Sequence, residues 1–392
     1  MLDGPSCPLT CHVTPLDTCQ PLLPSRIKPT VLTSSPPSNH LVSPQMSHDL
    51  DSSYPPPLRH VGHREDDDEP PESITDSDPV PVPVIDLHCL NDDVDKDGEE
   101  LRKLDEACRE WGIFRLVNHG VPLGLMAEVE ELTKRLFWMS FESKKSSCEE
   151  GPVSYFWGTP ALTPSGSALS GGHRKINLVE GFNLPLSQLS EFHPQLPLLQ
   201  SFRVAMIEYG EHISRIATSL FKAMASKLEV KMEEDKSSNC YVSDKTGNIR
   251  VYRYPRSPNN HHVIGSWGME PHTDSSVLSI LNHHTQDSAL ELFNNHQWLP
   301  LQSIPNTLVV NIGDMMQAIS DDRYKSALHR VRISQEKERI SVCYFVFPDE
   351  EFVIESSKYK PFSYSDFRAQ VQEDIKTTGY KVGLSRFSQT HH

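Results

Sequence analysis

Eight cysteines in 392 residues show no paired spacing, so the chain lacks the framework of a disulfide-built secreted fold. Cys7, Cys11 and His12 fit no zinc-knuckle spacing either. A reducing, intracellular setting is expected. No run of 18 or more apolar residues occurs, and the N-terminus has no basic stretch followed by an apolar one. A membrane span and a secretory leader are therefore not expected. The compartment follows as cytoplasmic, with the nucleus as a second option; a plastid is disfavoured because the Ser-, Thr- and Pro-rich start has few basic residues. Positive charge is scarce as well. Lys and Arg total 37 against 53 Asp and Glu, a net charge of -16, which argues against nucleic acid or an anionic membrane as partner.

Aromatic residues are few over the first 80 positions, which are rich in Pro, Ser, Thr and Asp. Such a segment cannot bury enough surface to offset the entropy of ordering, so 1–79 is expected to be a disordered tail. The acidic run Glu65 to Glu69 belongs to it as a solvated linker. A folded part of 80–392 remains, long enough for one large core. Within it, Asp93, Asp95, Asp97 and Gly98 imitate the start of a calcium loop, but Leu104 stands where a bidentate Glu is required. The segment is expected to be a polar turn before a helix over Glu99 to Trp111. Further helices are expected over Leu123 to Ser140, Leu198 to Glu229 and Tyr364 to Thr378. In the longest, Phe202, Met206, Tyr209, Ile213, Ile216, Leu220 and Met224 recur at steps of three and four and make a core-facing stripe. The glycines of SGSALSGGHRKINLVEGF lack the GK[ST] continuation of a phosphate loop, so nucleotide binding is not supported.

The chemistry lies between His272 and Ser341. His272-Thr273-Asp274 stands in EPHTDSSVLSIL, a strand-like run, and residues two apart on a strand share a face. His329 stands in a second such run, SALHRVRIS. A lone His-x-Asp is expected about once by chance in a chain this rich in His. Two imidazoles and one carboxylate converging from strands are another matter: they suit a non-haem Fe(II) centre with open positions. Arg339 and Ser341 again differ by two and can offer a planar fork and a hydroxyl to a carboxylate. Tyr252 and Tyr254 repeat that spacing in IRVYRYP.

These residues, with PVPVIDL (Pro81 to Leu87), WGIFRLVNHGVP (Trp111 to Pro122) and NIGDMMQAISDDRYKSALHRV (Asn311 to Val331), make positions 80–388 resemble the plant-type 2-oxoglutarate- and Fe(II)-dependent dioxygenases. The resemblance implies a mainly β fold, a double-stranded β-helix (jelly roll) with N-terminal and C-terminal helices. It divides the domain into a helical and strand part (80–247), the jelly-roll core (248–350) and a C-terminal helical region (351–392). It further implies that His272, Asp274 and His329 hold Fe(II), that Arg339 and Ser341 bind the distal carboxylate of 2-oxoglutarate, and that Tyr254 holds its other end. The partners are then O2, 2-oxoglutarate and a small molecule, with ascorbate as reductant and a monomeric protein; no residue beyond the metal ligands is assigned to the chemical step.

SYFWGTPALT (Ser154 to Thr163) and FRAQVQEDIKTTGYKVGLSRF (Phe367 to Phe387) are similar to gibberellin 2-oxidases acting on C20 precursors. The resemblance implies 2-beta-hydroxylation and hormone inactivation. Phe156, Trp157, Phe182 and Phe293 are the candidate pocket walls, with Arg174 or Lys175 for a substrate carboxylate. The chain departs from the family at Tyr252, where Asn is usual, at Ser257 for Cys, at Ser288 and Ala289 for a glycine pair, and at Leu178 for Trp. None of these touches the proposed iron ligands; all lie on the substrate side or its framework. The same chemistry on a phenolic, an auxin or a specialised metabolite, and a non-enzymatic small-molecule binder, are the alternatives.

Overall fold

The computed structural model describes residues 52–59, 81–90, 98–158, 177–228, 241–242, 245–256, 267–283, 288–334 and 336–389. All belong to the unit Gln45–His392. In chain order its principal elements are β1 (Val84–Asp86), α1 (Glu99–Glu110), β2 (Ile113–Val117), α2 (Leu123–Phe137), α3 (Phe141–Ser146), β3 (Ser154–Trp157) and β4 (Glu180–Pro185). There follow α4 (Leu186–Leu189), α5 (Pro197–Leu228), β5 (Asn248–Tyr254), β6 (Met269–His272), β7 (Leu278–His283), β8 (Leu290–Asn294), β9 (Gln297–Pro300) and β10 (Leu308–Ile312). The chain continues through α6 (Asp314–Ile319), β11 (His329–Val331), β12 (Arg339–Val346), β13 (Val353–Ile354), β14 (Phe362–Ser363) and α7 (Tyr364–Thr378).

Eight strands form one sheet in the order β1-β2-β10-β7-β12-β5-β4-β3, and four form a second in the order β6-β11-β8-β9. Together they make a double-stranded β-helix with flanking helices. The central strands β10 and β12 are buried at every residue, as strands covered on both faces must be. Four of the eight strands, β1 to β4, come from 80–247, so the N-terminal part is woven into the main sheet.

The expected helices are present, Tyr364–Thr378 with the expected ends and the others with shifted ones. The long one runs Pro197–Leu228 and buries Phe202, Met206, Tyr209, Ile213, Ile216, Leu220 and Met224, the stripe read from the sequence. It packs on α2 and on the outer face of the main sheet, where the Tyr344 hydroxyl lies 3.4 Å from Ser214 Oγ. The helix expected to reach Ser140 stops at Phe137, because the Ser140 hydroxyl accepts from the Ser143 N–H at 3.1 Å and caps α3 instead. Leu104, the residue that spoils the calcium-loop pattern, is a fully buried residue of α1.

One expectation is corrected. Residues 52–59, assigned from sequence to the disordered tail, are packed on the sheet. Ser53 is fully buried; its hydroxyl accepts from Arg253 at 3.0 and 3.1 Å and its carbonyl from Lys144 at 2.6 Å. The Tyr54 ring lies 3.6 Å from the Arg253 guanidinium, and its hydroxyl donates to Glu338 at 2.8 Å. The cause is the buried charge beneath: Lys144 and Arg253 meet Glu180 at 2.5 and 3.1 Å, all three side chains are fully buried, and the cations have donors left to satisfy. The rest of 1–79 lies outside the described residues.

Candidate metal and cosubstrate site

His272 ends β6 and His329 opens β11, and the two are cross-strand partners with ring centroids 4.3 Å apart. Asp274 lies two residues beyond the end of β6, in a turn rather than on the strand. The turn forms because the Asp274 carbonyl accepts from the Asp314 N–H at 2.8 Å instead of entering the ladder. The shared strand face expected of the pair is therefore not what joins them, yet their side chains converge. Asp274 Oδ1 is 3.8 Å from Nε2 of both histidines, and one ligand atom from each residue falls within 4.8 Å of the others.

The orientation of each side chain is held from behind. His272 Nδ1 lies 2.7 Å from the Glu270 carbonyl and His329 Nδ1 lies 2.9 Å from that of Ala327. A proton on each Nδ1 donates to those carbonyls and leaves both Nε2 lone pairs for a cation. Burial, then the neighbouring His329 imidazole, lowers the His272 pKa to about 3, so the ring stays neutral. Burial also raises the pKa of Asp274, but the His329 and His272 imidazoles and the Ser279 hydroxyl together outweigh it and hold the carboxyl below its ordinary value. Ser279 donates to Asp274 Oδ2 at 2.5 Å and accepts from Asn311 Nδ2 at 3.0 Å, which leaves Oδ1 facing the imidazoles. Two imidazoles with Nε2 turned toward one carboxylate fit Fe(II) with open positions.

The main sheet brings the remaining sequence candidates to one face. In the β12–β5 register Arg339 opposes Tyr254 and Ser341 opposes Tyr252, and directly opposed residues share a face. Arg339 is 2% exposed, lies 5.8 Å from the Tyr254 ring centroid and sets Nη2 3.0 Å from His283 Nδ1. Tyr254 is buried, which pushes its phenol well above the ordinary value and keeps it a neutral donor. Two steps along β5 from Tyr252 the same face carries Arg250, a residue the sequence reading did not single out. Its Nε donates to Asn183 Oδ1 at 3.1 Å, its guanidinium lies 5.0 Å from the Phe345 ring centroid, and no carboxylate among the described residues pairs with it.

Of the four candidate pocket walls, one is on this face. Phe156 opposes Gly181, which opposes Tyr252, and its ring lies edge-on to Tyr252 at 5.9 Å. A Cβ on Gly181 would come within 2.5 Å of both Phe156 Cζ and the Val251 carbonyl, so only glycine lets the ring lie there. Trp157 and Phe182 point the other way. They belong to the register positions of Glu180 and Val251, and Phe182 packs on Phe137 and Tyr155 at 5.4 and 5.1 Å. Phe293 also faces outward, alternating with the inward Leu292 that opposes His329; it is 37% exposed and rests on Trp298 at 5.1 Å. Strand alternation, which aromatic content alone does not reveal, decides all three. Arg174, Lys175 and Ser257 lie outside the described residues.

Ser279, Asn311, Asp314 and Arg250 were not anticipated. Asn311 and Asp314 sit inside the run NIGDMMQAISDDRYKSALHRV, so the signal was there, but only the pairing of β10 with β7 sets Asn311 opposite Ser279.

Residues 238–348 match the family model described as 2OG-Fe(II) oxygenase superfamily, and residues 82–196 match the one described as non-haem dioxygenase in morphine synthesis N-terminal. Gibberellin 2-beta-dioxygenase 8 of Arabidopsis thaliana is 34% identical over 313 residues, covering 79% of this chain and 87% of that protein. Gibberellin 2-beta-dioxygenase 6 of Oryza sativa subsp. japonica is 34% identical over 320 residues, covering 78% and 84%. Among solved structures, the crystal structure of JOX2 in complex with 2OG, Fe, and JA superposes with a TM-score of 0.64 at 25% identity, covering 81% of this chain and 96% of that one.

Proposed function

Because the chain belongs to the 2OG-Fe(II) oxygenase superfamily, and is an Fe(II)- and 2-oxoglutarate-dependent enzyme, we propose that its substrate is a small apolar carboxylic acid, a gibberellin, hydroxylated at the 2-beta position. The observation that carries the substrate reading is the likeness to two gibberellin 2-beta-dioxygenases over more than three quarters of this chain. The site chemistry agrees with it. Arg250 is a cation without a carboxylate partner among the described residues, on the face that also carries Phe156, Phe345 and Tyr252. An apolar body with one carboxylate is the complement of that set.

In this reading His272, Asp274 and His329 hold Fe(II), and Arg339 and Ser341 take the distal carboxylate of 2-oxoglutarate while Tyr254 donates to its other end. Bound Fe(II) with 2-oxoglutarate supplies oxygen activation, coupling release of succinate and carbon dioxide to hydroxylation of a C–H bond. The protein's own contribution is orientation and exclusion of water. Buried Arg339 is pre-set against Tyr254, and Ser279 keeps the Asp274 carboxylate turned toward the metal.

The test is a substrate panel of C20 and C19 gibberellins, jasmonate and an auxin, with succinate followed and products identified by mass spectrometry. A hydroxylated gibberellin is expected. Arg250→Met should raise KM for it by about 10-fold or more, the loss of a charge-assisted contact, and leave substrate-free 2-oxoglutarate decarboxylation in place. Conversion of jasmonate or auxin with neither gibberellin class turned over would overturn the substrate; no succinate with any acid would overturn the reaction.

A further inference from the structure

Asp274 is held by both peptide groups that flank it. The carbonyl behind it, Thr273 C=O, accepts from Lys381 Nζ at 2.8 Å, and its own carbonyl accepts from the Asp314 N–H at 2.8 Å. Lys381 and Asp314 are themselves joined, with Nζ 2.6 Å from Asp314 Oδ2 and side chains only 15% and 5% exposed. Thr273 Oγ1 at 3.2 Å is a further acceptor for the ammonium. The other Asp314 oxygen accepts from Ser326 Oγ at 2.8 Å, and Ser326 precedes Ala327, whose carbonyl faces His329 Nδ1. One buried ion pair thus reaches the turn of Asp274 and the approach to His329.

We infer that Lys381 is a positioning residue for the metal centre, a cation from beyond the last helix that fixes the turn between the first two ligands. The inference rests on the reading of His272, Asp274 and His329 as the Fe(II) ligands. Lys381 touches none of them and acts through the Thr273 and Asp274 peptide groups. The opposing account is that the pair merely fastens the C-terminal segment to the core. Arg386 supplies the control: it fastens the same segment to buried Asp374 through Nε and Nη2 at 2.9 Å each, with no link to Thr273.

The test compares anaerobic Fe(II) titrations of the full chain, monitored by the charge-transfer absorption that appears with 2-oxoglutarate, and thermal melts of the metal-free protein. Lys381→Met keeps a long aliphatic side chain and removes the donors, along with the ammonium that lies 5.7 Å from the Phe367 ring centroid. Fe(II) affinity should fall about 10- to 100-fold, the range for groups that orient a metal ligand from behind. Arg386→Gln should lower the melting temperature and leave Fe(II) affinity within about 2-fold of the wild type, far below the loss expected at Lys381. Asp314→Asn keeps the backbone donor while weakening the ion pair, and should fall between; it also carries the test if Lys381→Met does not fold. Equal Fe(II) affinity in wild type, Lys381→Met and Asp314→Asn overturns the inference. Equal losses in Lys381→Met and Arg386→Gln also overturn it, in favour of the fastening role. Absence of Fe(II) binding by the wild type would instead refute the metal reading beneath it.

Discussion

Ser279 is a single hydroxyl between Asn311 and Asp274, and it decides which carboxylate oxygen is turned toward the imidazoles. Replacing it by Ala removes the hydrogen bond to Oδ2 and leaves the carboxylate free to rotate. Ser279→Ala should lower Fe(II) affinity about 10- to 100-fold with the fold intact, measured by anaerobic titration and by the melting temperature of the metal-free protein. Such a residue is hard to read from sequence. His272, Asp274 and His329 were legible because few side chains ligate transition metals and their spacing is restrictive. Serine is common, and Ser279 acquires its role only through the register that sets it opposite Asn311. Arg250 was passed over for a related reason. An arginine in a strand has either face open to it, and its direction depends on the alternation counted from Tyr252 and Tyr254.

At the level of elements, periodicity was the readable part. The stripe on α5 and the span of α7 follow from the 3.6-residue repeat and from the Ser363–Asp366 capping box, in which each residue's side chain bonds the other's backbone N–H. Phe202 on that stripe is fully buried, and Phe202→Ala should cost about 3–5 kcal/mol of stability by denaturant unfolding, with substrate-free decarboxylation retained. The orientation of short aromatic strands was not readable, because β3 offers Phe156 inward and Trp157 outward with nothing local to distinguish them. Turns are equally opaque. Gly313 has an ordinary φ of -100°, yet a Cβ there would fall 2.0 Å from the Ser276 carbonyl. Gly313→Ala should therefore displace the Ser276 and Asp314 backbones, destabilise by about 1–3 kcal/mol in thermal or denaturant melts, and weaken Fe(II) binding in the same step.

Across the molecule, buried tyrosine sets an alkaline limit. Burial raises the phenol pKa of Tyr54, Tyr155, Tyr209, Tyr252, Tyr254, Tyr324 and Tyr359, and pushes Tyr364 up to about 12, from an ordinary 10.0. Above that ordinary value the unfolded chain sheds protons that the folded chain keeps, so the contribution is whole below pH 10.0 and declines as pH rises toward and past 12. The melting temperature should fall steeply over that interval, with most of the phenolate absorbance appearing together with unfolding; release of the greater part of it from the intact fold well below pH 12 would contradict it. The jelly roll itself was legible from the quoted motifs, whereas the docking of residues 52–59 was not, since it answers to Lys144, Glu180 and Arg253 far along the chain. That cluster and the acid-binding face are the two sides of one strand. On β5, Arg250, Tyr252 and Tyr254 point one way and Arg253 the other. A one-residue insertion or deletion inside β5 would exchange them, withdrawing the cation and both phenols from the site while parting Arg253 from Glu180. In a library of variants this strand should accept no change of length, because a single frame-preserving codon event there delivers a functional and a structural lesion together.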